Sequence, residues 1–112
     1  MFSSQLRFLT GAVLLSTALI SFQSHAQTRS GRAAYHFSSR GLTTCARYEP
    51  VGSILRVTNP QNGKTITVRV NGRGPYNGNR ILDLSTGSFK ALYGGLGRGV
   101  GPVRYTVVRR GR

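Results

Sequence analysis

An alternation constrains this chain more than any other feature. Residues 65–70 read TITVRV, which sets Ile66, Val68 and Val70 on one side and Thr65, Thr67 and Arg69 on the other. That is the period-2 pattern of a strand with one face in a core and one in water. A second β-branched run occupies 54–58, and Asn59-Pro60-Gln61-Asn62-Gly63 stands between the two. The Asn-Gly pair tolerates the left-handed backbone of a tight reversal, so the two runs are expected to form a hairpin. At 71–79 the alternation gives way to NGRGPYNGN, where three glycines and a proline in nine residues demand a closely shaped loop. A further strand is expected at 80–84.

That strand carries Asp83. Alternation puts Asp83 and Ile81 on one face, with Leu82 and Leu84 on the other. A carboxyl among aliphatic neighbours is partly desolvated, which raises its pKa and suits a general acid. The competing reading pairs it with Arg69, Arg73 or Arg80, which would keep it ionised as a structural anion. Ser85 is expected to cap a short helix running to about Tyr93, with Phe89 and Leu92 on its buried side and Gly94-Gly95 ending it. The glycine-rich stretch 94–102 lacks the Lys-Ser/Thr of a phosphate-binding loop and is read as a flexible connection. A last strand is expected at 103–108.

The N-terminus belongs to targeting. Residues 8–22 are uncharged and apolar, Arg7 precedes them, and Ser24-His25-Ala26 supplies a small-x-small cleavage site. This reads as a signal peptide over 1–26, too short for a membrane span. Gln27 stands where a lipoprotein would carry cysteine, so no stable membrane anchor is expected after cleavage. Export to the periplasm or cell wall follows. Residues 27–32 are expected to be a flexible lead-in, 33–108 the folded domain and 109–112 a basic tail.

Residues 27–112 hold 15 lysines and arginines against Glu49 and Asp83, a net charge of about +13. Such a balance attracts polyanions. An exported protein meets anionic envelope polymers rather than nucleic acid, so nucleic acid is not expected as a partner. Glu49, one residue before Pro50 in a polar turn, is read as a surface charge. Cys45 has no second cysteine to bridge with; it is read as a small buried hydrophobe, with a Cys45/His36 nucleophile–base pair as the alternative. Two acids, one histidine and one thiol without clustered spacing leave no metal and no cofactor expected.

The run VTNPQNGKTITVRVNGRGPYNGNRILDLS resembles the signature of the rare lipoprotein A family, VTN-x-x-NG, a strand, NDRGP, a loop and R-x-IDLS. The resemblance covers roughly 31–108. It implies an all-β fold, a small six-stranded double-psi β-barrel with one short helix; a monomer is expected. It also implies lytic transglycosylation, a lyase activity on peptidoglycan glycan strands lacking stem peptides. Asp83 takes the aspartate position of DLS and is the catalytic candidate. Asn71, Arg73, Tyr76 and Asn79 are the candidates for lining the sugar groove.

The chain departs from the family in three places. Ser38-Ser39-Arg40 leads straight to Gly41, so an acidic loop of the family is missing. Matching 42–52 to LTAAHRTLPFG puts Ala46 at the family's histidine. Gly72 replaces the aspartate of NDRGP. Lytic transglycosylation can run on one carboxyl, whereas hydrolysis of glycosides ordinarily takes two. The alternatives are a glycan-binding module without chemistry and an expansin-like or cationic envelope-interaction protein.

Overall fold

The computed structural model describes residues 27–37 and 39–112, so the expected signal peptide lies outside the described residues. Its strands are β1 Thr28–Phe37, β2 Thr43–Ala46, β3 Ile54–Thr58, β4 Thr65–Arg73, β5 Arg80–Ser85 and β6 Val100–Arg109, and its one helix, α1, spans Thr86–Tyr93. The strands close into a barrel in the order β1-β5-β2-β4-β3-β6. β1/β5 and β2/β4 are parallel pairs; the others are antiparallel.

The TITVRV alternation is realised in β4. Val68 and Val70 are buried, Ile66 is partly buried, and Thr65, Thr67 and Arg69 face solvent. Inside the barrel they meet Leu55 and Val57 of β3, Leu82 and Leu84 of β5, and Val103 and Tyr105 of β6. Helix α1 closes one end of this core with Phe89 and Leu92, both fully buried. Ser85 is its N-cap, accepting from the Ser88 N–H at 3.1 Å, and Gly94 ends it in the left-handed conformation at φ 82°.

The β3–β4 hairpin does more than reverse the chain. Asn59 Nδ2 and Asn62 Nδ2 both donate to the Leu92 carbonyl, at 3.0 and 3.1 Å. One of the helix's orphan C-terminal carbonyls therefore finds its partners in the hairpin turn. Asn59 Oδ1 accepts from the Gln61 N–H at 3.0 Å, so one buried side chain shapes the turn and holds the helix.

Several expectations are corrected. The lead-in placed over 27–32 is not flexible: β1 begins at Thr28, pairing Thr28 with Thr106 and Arg29 with Tyr105 of β6. Barrel closure consumes these residues, and their polar character reflects a strand with one wet face. The last strand starts at Val100, so part of the glycine-rich connection is sheet, and it runs to Arg109. The tail is docked. The Gly111 N–H donates to Ser53 Oγ at 2.8 Å, and a Cβ added at this position would run into the Val51 carbonyl oxygen and the Gly52–Ser53 backbone.

Glu49 is the sharpest correction. It is fully buried. Its Oε2 accepts from the Tyr105 hydroxyl at 2.8 Å and from Arg29 Nε at 3.2 Å, while Arg110 Nη1 lies 3.7 Å from Oε1. A buried carboxylate persists only where donors and cations compensate its lost hydration, and the β1–β6 closure supplies both.

Two outcomes follow. Asn59→Ala should destabilise the barrel by about 1–3 kcal/mol, read as a lowered midpoint in chemical denaturation, because it removes one of the two donors to the Leu92 carbonyl and leaves a turn N–H without its acceptor. Alkaline pH should also weaken the fold. Burial pushes the Tyr93 phenol up to about 12, and burial together with the Glu49 contact raises Tyr105 further. Unfolded tyrosines release their protons near pH 10, so above that pH the unfolded state binds fewer protons and stability falls. Melting temperatures at pH 8 and 11 should show this loss, and Tyr93→Phe should make it shallower.

Candidate functional site

Strand order and register assemble the site. Cys45 of β2 pairs with Asp83 of β5, and across the other neighbour of β2 it pairs with Gly72 of β4. The β2–β4 register slips between Thr44 and Cys45, where β4 carries Asn71 as an extra residue. This irregularity turns Gly72 to the face of the Cys45 thiol: a Cβ at position 72 would sit 2.8 Å from Sγ. A second irregularity, between Tyr35 and Phe37 on β1, brings His36 Nδ1 to 3.7 Å from Asp83 Oδ2. Four adjacent strands thus present one row, His36, Asp83, Cys45, Gly72.

Asp83 is 19% exposed at its side chain and makes a salt-bridge-range contact, 3.7 Å, with Nδ1 of His36, a partner that is charged only when protonated. Among the described residues it makes none with Arg69, Arg73 or Arg80, the partners considered for it as a structural anion. Its backbone is held by the Thr44 hydroxyl, which donates to the Asp83 carbonyl at 3.1 Å. Cys45 is only partly buried. Burial, and secondarily the charge of Asp83, push its thiol above the ordinary value. That is the reverse of what an activated thiolate requires, which argues against the Cys45/His36 pair. Ala46 is fully buried within the core. Among the described residues no group of three or more histidine, cysteine or acidic side chains could hold a metal ion.

The expected groove residues separate into two sets. Asn71 and Arg73 are exposed on β4 and Tyr76 is 69% exposed on the loop after it. No hydrogen bond joins them to Asp83 among the described residues. Asn79 lies elsewhere, in a cleft of about 360 Å³ lined also by Thr28, Arg29, Ser30, Tyr48 and Ile81. Ile81 is two residues before Asp83 on the same strand. Arg47 flanks it: its N–H donates to the Ile81 carbonyl at 3.1 Å and its Nη1 to the Gly78 carbonyl at 2.8 Å. Arg29, Arg47, Tyr48 and the pairing of His36 with Asp83 were not found from sequence. Only the strand order brings them together, and period-2 patterning carries no record of order.

Residues 21–105 match the family described as lytic transglycolase. Over 74 residues the chain is 45% identical to a probable endolytic peptidoglycan transglycosylase RlpA of Nostoc sp., a match covering 66% of this chain and 20% of that protein. Over 68 residues it is 41% identical to the endolytic peptidoglycan transglycosylase RlpA of Neisseria meningitidis serogroup A, covering 61% and 28%. The chain therefore spans about a fifth to a quarter of the length of these relatives. Among solved structures, apo expansin of Clavibacter michiganensis superposes with a TM-score of 0.61 at 24% identity, covering 77% of this chain and 52% of that one. The Streptomyces papain inhibitor does so with 0.60 at 21%, covering 74% and 96%. At such identity the likeness is one of fold. With its barrel, its helix and its signature accounted for, the chain belongs to the lytic transglycolase family and folds as a double-psi β-barrel.

Proposed function

We propose that this chain is an exported lytic transglycosylase that cleaves stem-peptide-free peptidoglycan strands, with Asp83 as its single acid and base. One observation carries the reading. Of the two carboxylates in residues 27–112, Glu49 is enclosed by Tyr105, Arg29 and Arg110, and Asp83 alone meets solvent. A carboxyl that is to touch a glycan can only be Asp83.

The chemistry suits one such group. Protonated Asp83 donates to the glycosidic oxygen as the bond to C1 of muramic acid breaks. The resulting carboxylate removes the proton of the C6 hydroxyl, whose oxygen closes on C1 to give the 1,6-anhydro ring. Asp83 ends protonated as it began, no water is consumed, and no second carboxyl is needed to activate one. Asn71, Arg73 and Tyr76 would meet the glycan beyond Gly72, and Asn79 on the other side of Asp83. The export reading rests on the N-terminal sequence.

A second reading, a glycan-binding barrel without chemistry, is favoured by Ala46 and Gly72, which stand where relatives are expected to carry histidine and aspartate. Digestion of stem-peptide-free strands by residues 27–112, with mass spectrometry of the products, separates the two. Anhydromuramic ends from wild type and none from Asp83→Asn are expected. Intact strands that still sediment with the protein would leave the binding reading instead.

A double-mutant cycle tests the Cys45–Gly72 contact. Gly72→Asp alone should cost about 1–3 kcal/mol of stability, since its Cβ overlaps Sγ. Cys45→Ala should relieve most of that cost, and additive losses would show that the two positions do not compete for the same space.

A further inference from the structure

The Asn79 cleft is charged and its charges are fixed in place. Arg29 lies over the Tyr48 ring, its Cζ 4.4 Å from the centroid, and Arg47 lies 5.5 Å from the same centroid. Tyr48 thus holds two like-charged groups within about 10 Å of each other, each by cation–π attraction. A further contact fixes each guanidinium along one edge: Arg29 Nε on buried Glu49, Arg47 Nη1 on the Gly78 carbonyl. A guanidinium has five N–H donors, so both keep donors for a ligand. Glu49 offsets the charge of Arg29, whereas among the described residues neither acid pairs with Arg47, Glu49 being enclosed and Asp83 set against His36.

Arg29 lines the cleft with Tyr48, Asn79, Thr28 and Ser30, and Arg47 stands beside it over the same tyrosine; donors so placed fit a sugar that carries a carboxylate. The cleft's position gives the sugar's place. Ile81, in its wall, precedes Asp83 by two strand residues, about 7 Å along β5. That is the scale of one sugar residue.

We propose that Arg29 and Arg47, positioned by Tyr48, form a carboxylate-reading subsite beside Asp83 that recognises the free lactyl carboxylate of muramic acid. This rests on the glycan-strand reading above and gives it a chemical cause. In strands bearing stem peptides the lactyl carboxyl is tied up as an amide and is neutral; removing the peptide exposes one anion per disaccharide. The subsite thereby distinguishes bare strands from substituted ones by charge at one atom group.

Binding is the readout, so the test does not depend on turnover. In an Asp83→Asn background, affinity is measured for three ligands: stem-peptide-free strands, the same strands with lactyl carboxylates converted to methylamides, and a chitin hexamer. The free acid is expected to bind at least about tenfold more tightly than the other two. Arg47→Gln should erase that difference while leaving methylamide binding unchanged. Arg56→Gln, which removes an exposed charge from β3 across the barrel, should preserve it. Equal affinity for acid and methylamide, or equal loss of discrimination in Arg47→Gln and Arg56→Gln, would overturn the subsite in favour of general charge attraction. Absence of anhydro products from wild type would remove the enzymatic reading and leave this result standing.

Discussion

The carboxylate of Glu49 ties together parts of the chain that share nothing in sequence. It takes a hydroxyl from β6, a guanidinium from β1 and the approach of Arg110 from beyond the last strand. Arg29 and Tyr105 are themselves cross-strand partners, so the carboxylate sits against the seam where the barrel closes. Its burial would be costly without them. The same contact holds Arg29 in the wall of the Asn79 cleft, so the interaction that closes the fold also positions a guanidinium on that cleft.

What was legible in the sequence was local. TITVRV announced β4, Asn62-Gly63 announced the hairpin, and Ser85 with Gly94 bracketed the helix, because each depends on neighbours within a few residues. The family signature supplied the barrel itself. Missed were Glu49, β1 from Thr28, the docked tail and the Arg29–Tyr48–Arg47 fixture. Each depends on which strands lie side by side. A Glu-Pro turn reads as surface until a strand from the far end of the chain covers it. A polar segment such as TRSGR reads as a lead-in until it pairs along β6.

The site shows the same dependence on order. Asp83 could be named from the DLS motif, but its neighbours could not. The row His36, Asp83, Cys45, Gly72 takes one residue from each of four strands, two of them shifted by irregularities in the ladder. The resemblance sets alanine at 45 and aspartate at 72; this chain has cysteine and glycine. The thiol fills the space that a side chain at 72 would need, so the loss of the aspartate and the gain of the cysteine read as one packing exchange. The remaining acid and imidazole then stand together on β5 and β1.

The hairpin turn carries a different kind of consequence. Asn62 precedes Gly63, the dipeptide in which an asparagine side chain most readily cyclises onto the following peptide nitrogen and hydrolyses to aspartate or isoaspartate. In this fold the Asn62 amide is a donor to the Leu92 carbonyl. Deamidation would replace that donor with an anion at the negative end of helix α1, beside the closure of the core by Leu92. Of the chain's Asn-Gly pairs, this is the one whose ageing would loosen the turn's grip on its helix, at the end of the barrel that α1 covers.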